Sequence, residues 1–399
     1  MSLRHQLPVW SPVSGRAVGA ALLAGLTGGR RRGAAGLERV TRILSAEYGH
    51  QSFLLTDSGT SALSLAIAAS GPVGHRLVAL PAWGCYDLVT AVIGAGAQAL
   101  FYDVLPETLG PDPTSFAAAL ARRPTAVVLV HYFGIPVDVA SFRAATDEIG
   151  ALLIEDAAQA AGGEIGGQPL GRAGSMAVVS FGRGKGRTGG GGGALLVNDP
   201  RFGHALESIR SGLAPAGPGI VGSLKLLAQW IFGQPAWYGI PARMPWLQLG
   251  ETIYHPPWPP SGMPPANATA LAETWSIAVT EERQRRARAG RWLATLAGRP
   301  GARPIEILPG GAPGWLRFPI VGPGLSAWAS AGPRRRLGLM AGYPGPLPRV
   351  PALHGRTANP GPFPGAERLT TDLCTLPTHG LLSAADEAAI VAALDEVGG

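Results

Sequence analysis

Residues 152–196 have the sequence LLIEDAAQAAGGEIGGQPLGRAGSMAVVSFGRGKGRTGGGGGALL. It contains three apolar runs separated by glycine-rich turns, and similar runs stand earlier, at 76–81, 97–104 and 125–134. Strands that are buried on both faces of a sheet have this continuous apolar character. Helical periods between the runs predict helices over Ser115–Arg122 and Val139–Glu148. The pattern predicts a doubly wound α/β domain, in which ligands bind beyond the carboxyl ends of the strands.

The composition is that of a globular chain in which lysine is rare. Of the 399 residues, 46% are hydrophobic and 15% are charged, which excludes a disordered chain. The net charge is +7, but nearly every basic residue is arginine, a bias that does not by itself predict nucleic-acid binding. Only Lys185 and Lys225 are lysines. Because arginine cannot lose its proton and attack a carbonyl, these two residues are the candidates for amine chemistry.

Cysteine content and hydropathy bear on the compartment. Cys85 and Cys374 are too few and too far apart in sequence to predict a disulfide framework or a metal site. The N-terminus does not show the order of a signal peptide, and no run approaches the roughly 20 apolar residues of a membrane span. We therefore expect a cytoplasmic protein without a bound metal.

Residues at three predicted strand ends have side chains whose chemistry fits a single binding site. The segment 58–61 opens an apolar helix, and the free N–H groups at a helix N-terminus suit a phosphate, although ordinary helix capping explains the same residues. Glu155 and Asp156 end an apolar strand, where a buried carboxylate needs a cationic partner. Glu155 is expected to face outward or to pair with an arginine. Helix capping is the alternative explanation for Asp156.

The third strand end is Ser180, followed five residues later by Lys185. A P-loop is excluded, since that motif requires glycine where Val179 stands and Ser or Thr where Gly186 stands. An RNA-binding Arg-Gly segment would be a flexible tail rather than a loop between two buried strands. A flexible glycine turn remains open as an alternative, but it leaves the rare lysine unexplained.

Four segments between residues 56 and 199 together resemble the DegT/DnrJ/EryC1/StrS aminotransferases, pyridoxal-phosphate (PLP) enzymes of fold type I. They are DSGTSAL (57–63), LPAWGCYDLVTAVIGAGAQALFYDV (80–104), VVLVHYFGIPVDV (127–139) and IEDAAQAAGGEIGGQPLGRAGSMAVVSFGRGK (154–185). The resemblance implies a pyridoxal 5'-phosphate cofactor. It also implies a large domain with a mostly parallel central sheet between helices, and a smaller C-terminal α/β domain.

The resemblance also implies roles for individual residues. Lys185 would form the Schiff base with the cofactor and move the proton during catalysis. Asp156 would pair with the pyridine nitrogen, and Gln159 would lie against the ring or its phenolic oxygen. The residues that would surround the cofactor phosphate are Gly59, Thr60, Ser61 and Ser180.

The sequence departs from the family pattern on the substrate side. Cys85, flanked by Trp83 and Tyr86, stands where the family usually has an aromatic residue stacked on the ring. The loop around the lysine lacks the family's histidine and glutamate, and 262–271 replaces its Asn-Tyr-Arg-Met motif. Tyr86 and His131 are candidate substrate contacts, but an ordinary hydrogen-bonded histidine at a strand end explains His131 equally well.

The organisation of the chain follows from its composition. Residues 1–211 are expected to form the large PLP-binding domain with an N-terminal helical arm, 212–265 a Pro/Trp-rich insertion, and 266–399 the small C-terminal domain. The last of these begins with one long helix or two and ends in a helix capped by Ser383. The aromatic stretch 224–249 is expected to pack against the second subunit of a homodimer, with peripheral membrane contact as the alternative.

The expected function is amino transfer from an amino acid, glutamate being favoured, to a keto group of a sugar nucleotide or a related small molecule. Two alternatives stay open. One is a PLP-dependent dehydratase or lyase on the same frame, which the altered loop around Lys185 motivates. The other is a non-catalytic, PLP-binding, membrane-associated protein of polysaccharide assembly.

Overall fold

A seven-stranded sheet forms the centre of the structure, a computed structural model in which residues 4–27, 31–49 and 52–397 are described. The strand order is β1-β9-β8-β5-β4-β2-β3, and β9 alone among these strands runs against the others. The strands are β1 (Phe53–Thr56), β2 (Leu77–Pro81), β3 (Gln98–Tyr102), β4 (Ala126–Val130), β5 (Leu152–Asp156), β8 (Met176–Ser180) and β9 (Gly193–Val197). Two short strands, β6 (Glu164–Ile165) and β7 (Gln168–Pro169), lie outside the sheet.

Helices cover both faces of this sheet, as the continuous apolar runs predict. Alternate residues of β4 pack into different hydrophobic cores. Val128 packs on one face of the sheet, and Val127 and Leu129 pack on the other. Val139–Glu148 is a helix with the predicted bounds, whereas the other predicted helix begins earlier, at Pro113. The Asp112 side chain caps it there, and proline fits a first helical position. The covering helices are α3 (Gly59–Ala68), α4 (Asp87–Gly94), α5 (Pro113–Leu120) and α6 (Val139–Glu148).

The N-terminal arm consists of two helices, α1 (Gly15–Leu26) and α2 (Arg31–Tyr48), which pack on the long helix α10 (Pro265–Leu296). Residues of α2 and of the first half of α10 share a core with strands of the large sheet. Trp292, near the other end of α10, donates to the carbonyl of Pro377 in the C-terminal part. Helix α10 therefore packs on both parts, and the division of the chain with 266–399 as the small C-terminal domain stays a prediction.

The segment 212–265 contains more helix than its Pro/Trp-rich composition predicts. After α7 (Gly203–Gly212) it forms α8 (Ile220–Phe232) and the single-turn α9 (Pro235–Tyr238). Gly15 approaches Trp230 and Gly25 approaches Ile220, so α1 and α8 lie side by side in opposite directions. After α9 come two 3-10 turns, Pro241–Arg243 and Pro245–Leu247, and then an extended proline-rich stretch in which the carbonyl of His255 accepts from Thr90.

A smaller four-stranded antiparallel sheet forms the C-terminal part, in the order β10-β12-β14-β13. Ser383 caps the last helix through a reciprocal pair of bonds with Asp386, as predicted. The strands are β10 (Arg303–Pro304), β12 (Phe318–Val321), β13 (Met340–Ala341) and β14 (Leu373–Leu376), and β11 (Gly311–Ala312) pairs with β6 instead. The helices are α11 (Leu325–Ser330), α12 (Gly332–Arg335), α13 (Pro364–Asp372) and α14 (Ala384–Asp395).

None of the helices within the described ranges has the length and apolar character needed to cross a bilayer.

Candidate active site

A pocket lies at the carboxyl ends of the central strands, where a doubly wound sheet places its ligand. Side chains from the ends of β4, β5 and β8 meet there with the start of α3 and with one residue of the C-terminal part. Of the residues predicted from sequence, Lys185, Asp156, Gln159, Ser180, Gly59, Thr60 and Cys85 line this pocket. The other lining residues are Leu63, Asp87, Leu88, Val130, Tyr132, Ala158 and Tyr343.

The start of α3 forms one wall of the pocket. The Ser58 side chain caps the helix by accepting from the Ser61 N–H at 3.0 Å, and it also donates to the Ser61 hydroxyl. Ser61 is therefore buried and hydrogen-bonded to Ser58, and it is not among the residues that line the pocket. Gly59 lies so close to β8 that a Cβ on it would stand 2.7 Å from the Cβ of Ser180. Thr60 and Ser180 thus line the pocket beside a helix N-terminus, which favours an anion.

The two carboxylates at the end of β5 lie in different surroundings. Asp156 faces the pocket, and its Oδ1 accepts from the Ala158 N–H at 3.0 Å. Burial raises the pKa of Asp156, although the Ala158 N–H and the positive charge of Lys185 oppose that shift. A partly desolvated carboxylate that gains from a nearby cation is suited to a protonated ring nitrogen.

The prediction that Glu155 faces outward or pairs with an arginine is wrong. Glu155 is fully buried, on the face of β5 opposite to the face that carries Asp156. Its carboxylate accepts from His131 Nε2 at 3.0 Å and from the N–H groups of Gly171 and Gly174. Burial alone would raise the pKa of Glu155, but these hydrogen bonds hold it below its usual range. The reason for the error is that β5 is buried on both faces, so its pattern does not mark an outward side.

Neither candidate substrate contact lies in the pocket. His131 Nδ1 accepts from the Val137 N–H at 3.1 Å, so the ring uses both nitrogens inside the core. Its neighbours Val130 and Tyr132 line the pocket instead. Tyr86 packs against the large core at the beginning of α4, and it is likewise absent from the lining.

Gln159 is held from two sides. Its Oε1 accepts from the Phe133 N–H at 3.1 Å, and its Nε2 donates to the Tyr343 hydroxyl at 2.6 Å. The Tyr343 ring packs edge-on against Trp83, with centroids 4.8 Å apart, and stacks on Phe133. Tyr343 comes from the C-terminal part and follows the two-residue strand β13, so nothing local in the sequence marks it as a site residue.

Cys85 occupies the pocket wall where the family usually has an aromatic residue. Its thiol lies 3.4 Å from the Asp87 carboxylate. Burial and the Asp87 charge raise the pKa of Cys85 to about 12, so the thiol is neutral near pH 7. Asp87 itself was not predicted, and its place at the first position of α4 also fits ordinary helix-dipole stabilisation.

The glycine run after Lys185 allows close backbone packing. A Cβ on Gly189 would stand 2.4 Å from the carbonyl oxygen of Asn267, and one on Gly193 would stand 2.5 Å from the Ser58 backbone. Asn267 also donates its Nδ2 to the Gly189 carbonyl at 2.9 Å. The loop that carries Lys185 is therefore wedged between the start of α3 and the start of α10.

A buried cluster of charged side chains also holds the loop that carries Lys185. Arg187 donates to Glu282 on α10 at 2.7 Å and to Glu47 on α2 at 2.5 Å. Its guanidinium also lies 4.3 Å from the centre of the Trp275 ring. The cluster ties three elements together two residues after Lys185, which fixes where that lysine enters the pocket.

The lining residues fit PLP at three points. A buried carboxylate, Asp156, suits the ring nitrogen, the helix start beside Ser180 suits the phosphate, and the primary amine of Lys185 suits the carbonyl carbon. Gly59 approaches Ser180 so closely at this end of the pocket that a Cβ would stand 2.7 Å from the Ser180 Cβ, so only glycine fits there. Cys85 supplies no stacking ring, but the pocket contains Tyr132 and Tyr343.

The fold is that of PLP-dependent enzymes of fold type I, and the pocket lies at the edge of the sheet where a doubly wound fold binds its ligand. Residues 33–215, which build the large sheet and most of the pocket, match the model of the DegT/DnrJ/EryC1/StrS aminotransferase family. The resemblance deduced from the sequence motifs is confirmed. So is the prediction of an α/β fold with a central sheet between helices.

Several known proteins that are similar to this chain are aminotransferases. An L-glutamine:2-deoxy-scyllo-inosose aminotransferase of Streptomyces paromomycinus is 33% identical over 210 residues, 51% of this chain and 50% of that protein. A dTDP-4-dehydro-2,3,6-trideoxy-D-glucose 4-aminotransferase of Saccharopolyspora spinosa is 33% identical over 180 residues, 44% and 47% of the two chains. This chain thus spans about half the length of the curated relatives it matches.

The structural similarity extends further along the chain. The crystal structure of a DegT DnrJ EryC1 StrS aminotransferase from Brucella abortus covers 96% of this chain and 96% of its own, with a TM-score of 0.73. The sequence identity is 22%, so this comparison concerns the fold alone.

Proposed function

We propose that this protein is a PLP-dependent aminotransferase that holds its cofactor on Lys185. The observation that carries the proposal is the convergence of Lys185, Asp156, Gln159, Ser180 and Thr60 in one pocket, although they come from three separate strand ends. A primary amine, a buried carboxylate and a helix N-terminus are the three features that PLP requires of its site.

When bound, PLP supplies a carbonyl group that condenses with primary amines and a ring that withdraws electrons from the attached carbon. The Asp156 carboxylate would favour the protonated ring nitrogen, and the hydroxyls of Thr60 and Ser180 would hold the phosphate. Gln159, fixed by Tyr343, would orient the ring. The Lys185 Nζ, once free, is the base that takes and returns the substrate proton.

The donor would be an amino acid, L-glutamate or L-glutamine, and the acceptor a keto group on a sugar nucleotide or a cyclitol. The names of the relatives support this choice, since one acts on 2-deoxy-scyllo-inosose and one on a dTDP-linked keto sugar. Cys85 lines the pocket and 262–271 also departs from the family pattern, so the acceptor need not be that of either relative.

The test is a pair of spectra of purified protein reconstituted with PLP, recorded before and after addition of L-glutamate or L-glutamine. An aminotransferase is expected to lose the absorption of its aldehyde form and to keep the amino form stably until a keto acid is added. A dehydratase or lyase would not give that stable form, and a non-catalytic protein would give no change.

We propose further that the protein is a homodimer whose contact includes the exposed apolar face of α1 and α8. Leu23 and Leu26 on α1 and Val221 and Leu224 on α8 are exposed on adjacent helices. Sedimentation equilibrium is expected to give a dimer that Val221→Ser with Leu224→Ser weakens. Co-sedimentation of a monomer with anionic vesicles would instead support the membrane alternative for 224–249. The free cysteines Cys85 and Cys374 suit a reducing cytoplasm.

A further inference from the structure

Arg285 is a fully buried arginine on α10 that has no ion pair with any residue that the structure describes. Its Nε donates to the Gly314 carbonyl at 3.2 Å and its Nη2 donates to the Ala161 carbonyl at 3.3 Å, but none of the described residues accepts from its Nη1. Two other buried arginines, Arg187 and Arg288, form ion pairs with glutamates. A buried charge held by backbone carbonyls is expensive, and burial accordingly lowers the pKa of Arg285.

The Arg285 guanidinium lies against the loop that carries Lys185. A Cβ on Gly186, the residue after Lys185, would stand 3.1 Å from Nη1 of Arg285 and 3.2 Å from the Cβ of Ala161. Gly186 has a φ of 80°, a left-handed conformation that glycine adopts without strain. The nitrogen of Arg285 that has no acceptor therefore lies beside the backbone that follows Lys185.

The two carbonyls that accept from Arg285 belong to backbone segments that contact each other. Ala161 follows Gln159 by two residues, and the Gly314 N–H donates to the Gly134 carbonyl at 3.0 Å. A Cβ on Gly314 would stand 2.4 Å from the Ala161 carbonyl oxygen, so only glycine allows this approach. One guanidinium thus holds the segment after Gln159 to a segment of the C-terminal part.

This junction also contains two residues with costly backbone conformations. Phe133 and Trp315 have left-handed φ angles, 55° and 49°, which are unfavourable for bulky side chains. The Phe133 N–H donates to Gln159 Oε1 at 3.1 Å, so the place of Gln159 depends on this backbone. Such conformations persist only where the surroundings over-determine them, and Arg285 binds Gly314, the residue before Trp315.

We infer that Arg285 is a positioning residue of the pocket, which sets the places of Lys185 and Gln159 through the backbone that it holds. This inference rests on the proposed function, in which both residues serve PLP chemistry. Arg285 is not among the residues that line the pocket, so its effect passes through the residues that it positions. A planar guanidinium reaches two carbonyls and the side of a third segment at once, and the single nitrogen of a lysine cannot do so.

Two substitutions of Arg285 and one matched control test this inference. Arg285→Met removes the donors and keeps an unbranched side chain, and Arg285→Lys keeps the charge with a single nitrogen, as a second variant should Arg285→Met fail to fold. Arg288→Met is the control, because Arg288 is a buried arginine three residues further along α10. It donates to Glu387 and to the carbonyls of His379 and Leu382, in the C-terminal part and away from the loop of Lys185.

Hydrogen exchange of the PLP-free protein reads the three segments directly. The amides of Gly163, Gly189 and Gly314 each donate to a backbone carbonyl, and they report on the segments after Gln159, after Lys185 and before Trp315. Each should exchange about 10-fold faster or more in Arg285→Met, the scale of losing a hydrogen bond to a charged group.

The two other variants decide whether that acceleration is specific. Arg288→Met should lower the midpoint of thermal unfolding but leave these three amides at the wild-type exchange rate, because its contacts lie elsewhere. Arg285→Lys should accelerate them, since one nitrogen cannot hold all three segments. Equal acceleration in Arg288→Met, wild-type exchange in Arg285→Lys, or no acceleration in Arg285→Met each overturns the inference.

The PLP-loaded protein gives an independent reading. Visible circular dichroism of the bound cofactor depends on a fixed orientation of its ring, and it should weaken in Arg285→Met and persist in Arg288→Met. The maximal rate of the donor half-reaction with L-glutamine should fall about 10- to 100-fold, the scale of displacing a reacting group by about 1 Å. The half-saturating concentration should change by less than about threefold. The reverse pattern, a raised half-saturating concentration at an unchanged maximal rate, contradicts a positioning role.

The two experiments separate this inference from the proposed function. A wild type that takes up no PLP, or that does not react with any amino acid, refutes the proposed function, while hydrogen exchange still decides whether Arg285 positions the three segments. A wild type that reacts with L-glutamine, together with an Arg285→Met variant that matches it in exchange, dichroism and rate, leaves the proposed function standing and refutes the role of Arg285.

Discussion

At the scale of single residues, the neighbours Glu155 and Asp156 show how a strand separates structural from chemical roles. Successive side chains point to opposite faces of a sheet, so one carboxylate enters the core and the other enters the pocket. Glu155 has three donors in the core, whereas Asp156 has one backbone donor and the nearby charge of Lys185. The same chemical group therefore serves stability at one position and, in the proposed function, cofactor binding at the next.

Asp156→Asn should leave folding intact and impair chemistry. Asparagine keeps the shape and can still accept from the Ala158 N–H, but it removes the charge that stabilises a protonated ring nitrogen. The rate of the donor half-reaction is expected to fall about 100-fold or more, the scale of losing one electrostatic contribution in a water-excluded site. Single-turnover absorbance measures it, and a rate within threefold of the wild type would contradict the role of Asp156.

Glu155→Gln should have the opposite effect, because it should lower the stability of the fold. It removes a charged acceptor from three buried hydrogen bonds, and we expect a loss of about 2 kcal/mol or more in the free energy of unfolding. Because the folded state holds the pKa of Glu155 low, this contribution is present above the ordinary glutamate pKa and is lost as the pH falls. Urea unfolding at neutral and acidic pH should show the two proteins converging in acid, and a constant difference would refute this account.

At the scale of elements, the run of five glycines after Thr188 is a packing device. Gly193→Ala would place a Cβ within 2.6 Å of the Ser58 and Gly59 backbone, which belongs to the start of α3 and cannot yield cheaply. We expect a loss of about 3 kcal/mol or more, together with weaker PLP binding.

Gly19→Ala is the control for that substitution. Gly19 lies within α1, and a Cβ there would meet nothing within 4 Å. It should gain about 0.5–1 kcal/mol, because alanine restricts the unfolded chain and favours helix. Urea unfolding and PLP titration of both variants measure the contrast, and similar stabilities would show that the glycine run is not required for packing.

Elements with local signals could be predicted from the sequence, and elements stabilised by distant contacts could not. Val139–Glu148 and the helix capped by Ser383 have caps and periodicity that act within a few residues. Helix α8 is surrounded by Gly and Pro in sequence and is stabilised by packing on α1 and α10. Tyr343 enters the site from 158 positions beyond Lys185, so only the folded chain could place it beside Gln159.

At the scale of the whole molecule, α10 joins the part built around the large sheet to the C-terminal part. One glutamate on α10 makes the contact between these two parts depend on pH. Glu281 accepts from the Gly380 N–H at 2.8 Å in the C-terminal part. Burial raises the pKa of Glu281 to about 7, against the attraction of Arg285 and Arg288. The folded state therefore binds this proton more tightly than the unfolded state does.

The sign of the resulting pH effect follows directly. Between the unfolded glutamate pKa and about 7, the folded protein holds more protons, so Glu281 lowers stability as the pH rises through that window. Glu281→Gln should therefore be more stable than the wild type at pH 8, by up to about 3 kcal/mol, and similar to it near pH 4. The adjacent Glu282→Gln is the control: it leaves Arg187 without one of its partners, so it should destabilise at pH 8. If both variants destabilise at pH 8, the account of Glu281 is wrong.

The central claim is that Lys185 holds the cofactor, and the rarity of lysine makes it directly measurable. Protein reconstituted with PLP is reduced with borohydride, digested and analysed by peptide mass spectrometry, with Lys225→Arg as the control, since Lys225 is exposed on α8. We expect the pyridoxyl group on the peptide that contains Lys185 in both proteins, and no fixed cofactor in Lys185→Ala. A label on Lys225, or equal labelling of both lysines, would contradict the account.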